Sequence, residues 1–431
     1  MIGTVNRAAV ANDLSEARSR PVEIGRADAM PLRIALVTGN FGYVHDGASQ
    51  ALNMLVSHLE NSGHAVRIYS PGGELCRRSG PSTIVSVPSI RIPRRREYRL
   101  ALGLPQAQRR DLLSFKPDVL HLSAPDPLGL AALRLAKNER WPVVASLHTR
   151  FETYLEHYRL GWLRPWVERR LLDFYRRADL VLSPTRCLGE LLAQQGMGSK
   201  VALWSRGVDG IKFNPRNRDL SWRRGRGFQD EDIVLLFLGR LVREKGVDLF
   251  ADTVKLLRQQ GIRVRALVVG DGPERRCLTD RLPDAEYTGF LSGEELGRVV
   301  ASADIFVNPS RSEAFGNVNL EAMAAGLAIV LADEGNSREL IEHERTGILC
   351  PAKSAEGYAD AVRRLISDAA LRRRLGVAAR LASESYCWDR VLDEVILAYR
   401  EAIQRRASAA TAHKSADREV ALSDLAGLRV G

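Results

Sequence analysis

Cysteine is scarce in this 431-residue chain, and what there is lies scattered. Cys76, Cys187, Cys277, Cys350 and Cys387 are odd in number and include no C-x-x-C pair. That argues against a disulfide framework or a zinc site and fits a reducing cytoplasm. Long apolar runs are missing too. Spanning a bilayer takes about 20 consecutive apolar residues, and the longest candidate, Ala322 to Ala332, reads as a helix followed by a strand of a soluble core. The first 30 residues lack the apolar region of a secretion signal and are expected to form a disordered extension. Acidic residues are in deficit, 52 against 63 basic ones, for a formal net charge of +11. Excess positive charge favours anionic partners, whether nucleic acid, acidic lipid or phosphorylated substrate. Nucleic acid would need a recognisable reading module, and none is found.

What is present is an ordinary globular composition, 45% hydrophobic and 27% charged. The length allows two or three domains, each with its own core. Short β-rich apolar runs alternate with amphipathic stretches, the pattern of parallel α/β architecture. Strands are expected at 33–39, 65–69, 117–122, 142–147, 180–183 and 200–204, with a helix from about Ser49 to Asn61. Between Phe213 and Phe228 the chain is dense in Arg, Asn and Gly, which sets a domain boundary there. A second series of strands follows at 233–239, 265–270, 285–288, 303–310 and 328–331. The fold class is therefore α/β, with two Rossmann-like doubly wound domains. Such sheets bind ligands at the carboxyl ends of their strands, so two facing domains make one deep cleft.

Two glutamates stand out in Ser312-Glu313-Ala314-Phe315-Gly316-Asn317-Val318-Asn319-Leu320-Glu321. The preceding run reads as a buried strand ending at Pro309, and Val318 to Ala325 as a helix start with Asn317 as cap. Glu313 then hangs in the loop at the strand's carboxyl end, and Glu321 points from the helix's first turn. Between them the N–H groups of Phe315, Gly316 and Asn317 form a ready anion site. Two carboxylates that can each grip a vicinal diol, flanking a place for phosphate, make a nucleotide-sugar site. Taken singly, they also fit a solvated loop residue and a favourable first-turn acid.

Other candidates lie at strand ends. Arg240 and Lys245 follow the first strand of the second domain and suit a diphosphate, or else form a basic surface loop. His148 ends a first-domain strand that faces the same cleft. Gly47, between the first strand and its helix, lets the backbone approach a phosphate, or serves a turn. Gly289 and Phe290 follow the Tyr287-Thr288 strand. The formal D-x-D of Asp230-Glu231-Asp232 reads as a solvated turn away from the cleft, so no metal is expected.

The words EAFGN and LEAMAAG around Glu313 and Glu321, in order after Arg240 and Lys245, resemble the donor signature of the retaining GT-B glycosyltransferases of family 4. The resemblance covers roughly Pro31 to Arg405. It implies an extension at 1–30, an acceptor-side domain at 31–210 and a nucleotide-sugar domain at 211–387. A helix at 388–405 is expected to cross back to the first domain, with a flexible tail at 406–431. It also implies that Arg240 and Lys245 hold the donor's diphosphate, that His148 and Glu313 contact the sugar, and that Glu321 contacts the ribose. Backbone groups at Gly289 and Phe290 would hold the nucleobase. Where the family usually shows two glycines, this chain has Asp46 and Gly47. Retention of anomeric configuration by same-face attack is implied, with no cofactor beyond the nucleotide-sugar substrate.

Within that family, the stretches 203–209, 148–151 and 125–129 look like the branch of mannosyl- and sulfoquinovosyltransferases acting on glycolipids. This implies mannose from GDP-mannose and a membrane glycolipid or lipid-linked glycan as acceptor. A UDP-sugar donor, a nucleotide-sugar 2-epimerase, a glycan phosphorylase and a non-catalytic sugar-nucleotide-binding protein are the alternatives. The helical run Trp162 to Arg177 sets Leu163, Val167, Leu171 and Phe174 on one face and arginines on the other. It suits an acidic lipid surface or an ordinary core-facing helix. The basic run Pro93 to Arg99 adds attraction to acidic headgroups. The expected location is cytoplasmic, peripheral on the inner face of the plasma membrane.

Overall fold

The computed structural model describes residues 30–42, 47–72, 80–92, 95–148, 161–311, 313 and 315–427. The N-terminal extension up to residue 29, Asp46, Arg94, the stretch 149–151 and the last four residues lie outside the described residues.

The first half of the chain runs β1 (Arg33–Val37), α1 (Gly47–Asn61), β2 (Ala65–Pro71), β3 (Thr83–Val87), β4 (Ser89–Ile92), β5 (Arg95–Ala101), α2 (Gln106–Phe115), β6 (Val119–Leu122), α3 (Pro127–Asn138), β7 (Val143–Ser146), α4 (Arg164–Arg176), β8 (Leu180–Ser183), α5 (Arg186–Leu192) and β9 (Val201–Leu203). Among the described residues, seven strands form one parallel sheet in the order β3-β2-β1-β6-β7-β8-β9. Strands β4 and β5 pair antiparallel as a separate ribbon that carries most of the 93–99 basic run.

The second half runs α6 (Leu220–Gly225), β10 (Val234–Leu238), α7 (Val247–Gln259), β11 (Arg265–Val269), α8 (Arg275–Arg281), β12 (Glu286–Gly289), α9 (Gly293–Ala301), β13 (Ile305–Asn308), α10 (Asn317–Ala324), β14 (Ala328–Ala332), α11 (Gly335–Leu340), β15 (Ile348–Cys350), α12 (Ala355–Ser367), α13 (Ala369–Ser383) and α14 (Trp388–Gly427). Its described strands form a second parallel sheet, β12-β11-β10-β13-β14-β15.

Helices cover both faces of each sheet, so central strands must be apolar throughout rather than alternating. All five residues of β10, Val-Leu-Leu-Phe-Leu, are buried. Helix α7 buries Val247, Phe250, Ala251, Val254 and Leu257, one stripe at helical spacing. Deleting a ring such as Phe250 from that stripe typically costs about 3–5 kcal/mol. In each sheet the strand order reverses beside the first strand, between β1 and β6 and between β10 and β13. Those two switch points are where an open α/β sheet leaves a crevice.

Helix α14 buries Val391, Leu392, Val395, Ala398, Tyr399 and Ala402 against the core of the first sheet. His58 of α1 pins it through Asp393 at 2.8 Å. The helix does not stop at residue 405, where the sequence reading begins a flexible tail. It continues to Gly427, as the alanine-rich composition of that stretch favours.

Candidate active site

The loop after β10 carries Arg240, which is exposed, and turns through Arg243–Lys245 into Gly246 at φ 72°. A Cβ on Gly246 would lie 2.9 Å from the Pro309 ring and 3.0 Å from its carbonyl oxygen. Only glycine fits both the left-handed backbone and that approach. The contact draws the turn against the exit of β13, and Lys245 Nζ donates to Glu313 Oε1 at 2.6 Å. Burial pushes the Glu313 carboxyl up. The Lys245 charge and its hydrogen bond, with further bonds from Ser310 and Asn308, outweigh burial and hold it below the ordinary range. Asn308 is itself held by Asn319, its amide donating to Asn319 Oδ1 at 2.6 Å. The Asn336 amide donates to the Glu313 carbonyl.

Helix α10 begins one residue earlier than the sequence suggests. Gly316, at φ 95°, is the N-cap, and Asn317 is the first helical residue with no side-chain cap bond in place. Glu321 therefore sits in the second turn, not the first, where it is half-buried. Burial raises its carboxyl to about 7, with Lys212 opposing only in part. The side chain of Phe315 turns away into the core and packs edge-on against Tyr386, with ring centroids 5.9 Å apart. Only its backbone remains for a ligand.

Gly47 opens α1, and a Cβ there would lie 3.0 Å from Asn317 Nδ2. The amino ends of α1 and α10, one from each half of the chain, thus meet across the cleft. Beyond β12, Phe290 is exposed, and Gly289 accepts a backbone bond from Gly270 at 2.8 Å.

On the first-domain side His148 follows β7 with both ring nitrogens engaged. Arg206 Nη2 lies 2.9 Å from Nδ1, and Ser146 Oγ lies 2.8 Å from Nε2. Ser146 also reaches His121 Nε2 at 2.8 Å, and His121 Nδ1 lies 2.7 Å from the Tyr399 hydroxyl on α14. Trp204 packs edge-on against both histidines. Sequence reasoning missed Arg206, Ser146, Asn308, Asn319 and Asn336. Ser146 and Asn308 end strands and Arg206 follows one, a signal common to many surface loops, while Asn319 and Asn336 lie in the first turns of α10 and α11.

The two halves also touch directly. Glu339 of α11 accepts from the Arg186 N–H at 2.8 Å and from the Cys187 N–H, so it meets the positive end of α5. A cavity of about 900 Å³ opens between Leu188 on one side and Glu244, Pro309 and Arg311 on the other, with Glu313 in its wall. The acids of the D-x-D have structural partners. Asp230 pairs with Arg224 at 2.5 Å, and Asp232, buried rather than solvated, pairs with Arg263 at 3.0 Å.

Residues 45–210 match the family described as Glycosyltransferase Family 4, and residues 219–382 match Glycosyl transferases group 1. A GDP-mannose-dependent alpha-mannosyltransferase of Mycobacterium tuberculosis is 34% identical over 382 residues, covering 87% of this chain and 98% of the relative. The sulfoquinovosyl transferase SQD2 of Arabidopsis thaliana is 31% identical over 409 residues, covering 90% and 79%. The solved structure of Anabaena Alr3699/HepE in complex with UDP and glucose aligns with a TM-score of 0.67 at 17% identity, covering 86% of this chain and 100% of that one.

Proposed function

Because the chain belongs to glycosyltransferase family 4, has the GT-B fold and transfers a hexose from a nucleotide sugar, we propose that the hexose is mannose from GDP-mannose and the acceptor a membrane glycolipid or lipid-linked glycan. One observation carries the donor half: two helix amino ends meet at Gly47 and Asn317, and Lys245 reaches Glu313 in the loop that leads to the second of them. Each end carries roughly half a positive charge, so facing ends repel until an anion sits between them. A diphosphate answers that need. Arg240 forks across two of its oxygens, Lys245 meets a third, and the N–H groups from Phe315 to Asn317 complete the cradle. Glu321 takes the ribose diol, Glu313 the hexose hydroxyls, and the backbone of Gly289 and Phe290 the base.

In the proposed reaction the bond between the anomeric carbon and the diphosphate oxygen breaks as the acceptor hydroxyl attacks from the same face. The hydroxyl proton passes to the departing phosphate oxygen, and configuration is retained. The cationic groups stabilise charge that develops on the leaving diphosphate, a contribution typically of about 2.7–4 kcal/mol for one preorganised donor.

One feature supports a membrane acceptor: Trp162 and Trp166 are exposed one helical turn apart beside Arg169 and Arg170. No helix among the described residues is long and apolar enough to cross a membrane, so attachment would be peripheral, at the inner face of the plasma membrane. Backbone contacts at Gly289 and Phe290 suit uracil as well as guanine, which makes a UDP-hexose the second reading.

The test incubates purified protein with GDP-mannose and with UDP-hexoses, with and without membrane lipid extract. Release of GDP that the extract accelerates, with an α-linked mannolipid as product, is the expected result. Failure to turn over any nucleotide hexose would overturn the donor assignment. Preference for a UDP-hexose would replace mannose, and acceleration by water-soluble sugars alone would overturn the acceptor.

A further inference from the structure

We infer that Arg206 is a positioning residue for His148, fixing its imidazole as the neutral tautomer that accepts at Nδ1 and donates from Nε2. A guanidinium carries donors only. Its Nη2 lies 2.9 Å from Nδ1, so that nitrogen must be bare and the ring proton sits on Nε2. Nε2–H then donates to Ser146 Oγ at 2.8 Å. Having accepted there, the Ser146 hydroxyl gives its own proton to His121 Nε2, and His121 Nδ1–H donates to the Tyr399 hydroxyl. One guanidinium at the cleft end thus sets the direction of every bond to the last helix.

The surroundings of Arg206 suit this role better than a structural one. It is buried, and among the described residues it has no carboxylate partner. Its other bonds go to the carbonyls of Trp204 and Ser205, and its charge lies 5.1 Å from the Trp204 ring centroid. Buried charges are ordinarily paired, because desolvation without a counter-charge is costly. An uncompensated cation is, however, what prevents a second proton from reaching the neighbouring imidazole. The charged and titratable groups facing His148 among the described residues are Arg206, after β9, and His121, on β6 through Ser146. Burial, then Arg206, then His121 hold His148 well below the ordinary histidine range. His121 is pushed down to about 3 and is neutral as well.

The consequence rests on the reading that His148 faces the transferred sugar. His148 is then a hydrogen-bond donor only. It offers Nε2–H to Ser146 at rest and to a sugar oxygen when a bound donor displaces that hydroxyl.

The test is 15N NMR of the full chain labelled in histidine, with the His148 signal identified by its loss in His148→Phe. One Nδ1-bare, Nε2-protonated ring, unchanged between about pH 5.5 and about pH 8, is expected. In Arg206→Met, where burial still opposes the charge, the Nδ1-protonated tautomer should appear and the ring should begin to titrate at a higher pH than in the wild type. The acid limb of kcat should move to higher pH in that variant, with KM nearly constant. Arg206→Lys should restore a flat profile, and Tyr399→Phe should leave the His148 tautomer unchanged. A wild-type ring protonated at Nδ1 would overturn the inference. So would an Arg206→Met variant whose His148 ring keeps the wild-type tautomer. If Arg206→Met does not fold, the wild-type tautomer and the Arg206→Lys profile still decide. If no nucleotide sugar is turned over, the functional reading fails, while the NMR result still judges Arg206.

Discussion

Lys245 Nζ lies 2.6 Å from Glu313 Oε1, so two residues expected on neighbouring parts of the donor, its diphosphate and its sugar, hold each other in the resting site. Their effects on turnover should therefore be coupled. Lys245→Ala and Glu313→Ala should each lower kcat/KM by about 10²–10³-fold, the scale of losing one preorganised charge-stabilising group. The double variant should lose much less than the product of the two, with a coupling of about 0.5–3 kcal/mol. Strict additivity in the cycle would mean that the pair does not act together.

The same contact sets a sign for binding. Glu313 partly neutralises Lys245, so Glu313→Ala should leave nucleoside diphosphate affinity equal or tighter while transfer fails. Glu321→Ala should weaken that affinity through the ribose. Calorimetric titration of both variants with GDP separates them, and equal losses would refute the division of roles.

Glu321 should also make stability depend on pH. Its folded value, about 7, lies above the ordinary 4.5, so the folded chain binds more protons than the unfolded one between those values. Stability then falls as pH rises from about 4.5 to about 7, and the deficit stays constant above that. Glu321→Gln removes it. The variant should be more stable at pH 8 by on the order of 2–3 kcal/mol and little changed at pH 4.5, by thermal unfolding without ligand. A gain of equal size at both pH values would argue that the carboxyl is not desolvated.

Arg240→Ala should lower turnover far more than stability, since Arg240 is exposed and carries no core packing. Turnover should also survive excess EDTA, because in the proposed site cationic side chains and helix-end N–H groups act on the diphosphate. Loss on chelation that manganese restores would bring Asp230 and Asp232 back into question.

Membrane association should depend on Trp162, Trp166, Arg169 and Arg170. Each basic residue near an anionic surface contributes about 1 kcal/mol, and the attraction fades within a Debye length as salt rises. Sedimentation should show binding to anionic vesicles that weakens with salt and is nearly absent on neutral ones. Trp162→Ser with Trp166→Ser, or charge reversal at Arg169 and Arg170, should cut that binding and leave GDP-mannose hydrolysis intact. Efficient glycosylation of a soluble sugar without vesicle binding would sink the lipid acceptor.

The strands were legible because a sheet covered on both faces demands continuous apolar runs, and Val234–Leu238 or Ile305–Asn308 can be little else. The Glu313 and Glu321 neighbourhood was legible because strand end, loop and helix start follow within sixteen residues, so local geometry alone brings them together. Three things belonged to the tertiary structure. The positive φ of Gly316 moved the helix start and put Glu321 in the second turn, since a left-handed glycine, not a side-chain cap, ends the loop. The amphipathic stretch at 162–177 divided in two. Phe174 and Tyr175 joined the core, while Trp162 and Trp166 stayed in solvent. The partners of His148 came from residues 121, 146, 206 and, through the chain of bonds, 399. Periodicity encodes which side of an element is buried. It carries no record of which buried polar groups meet, because that is settled by how distant elements pack and by the need of each desolvated donor for an acceptor.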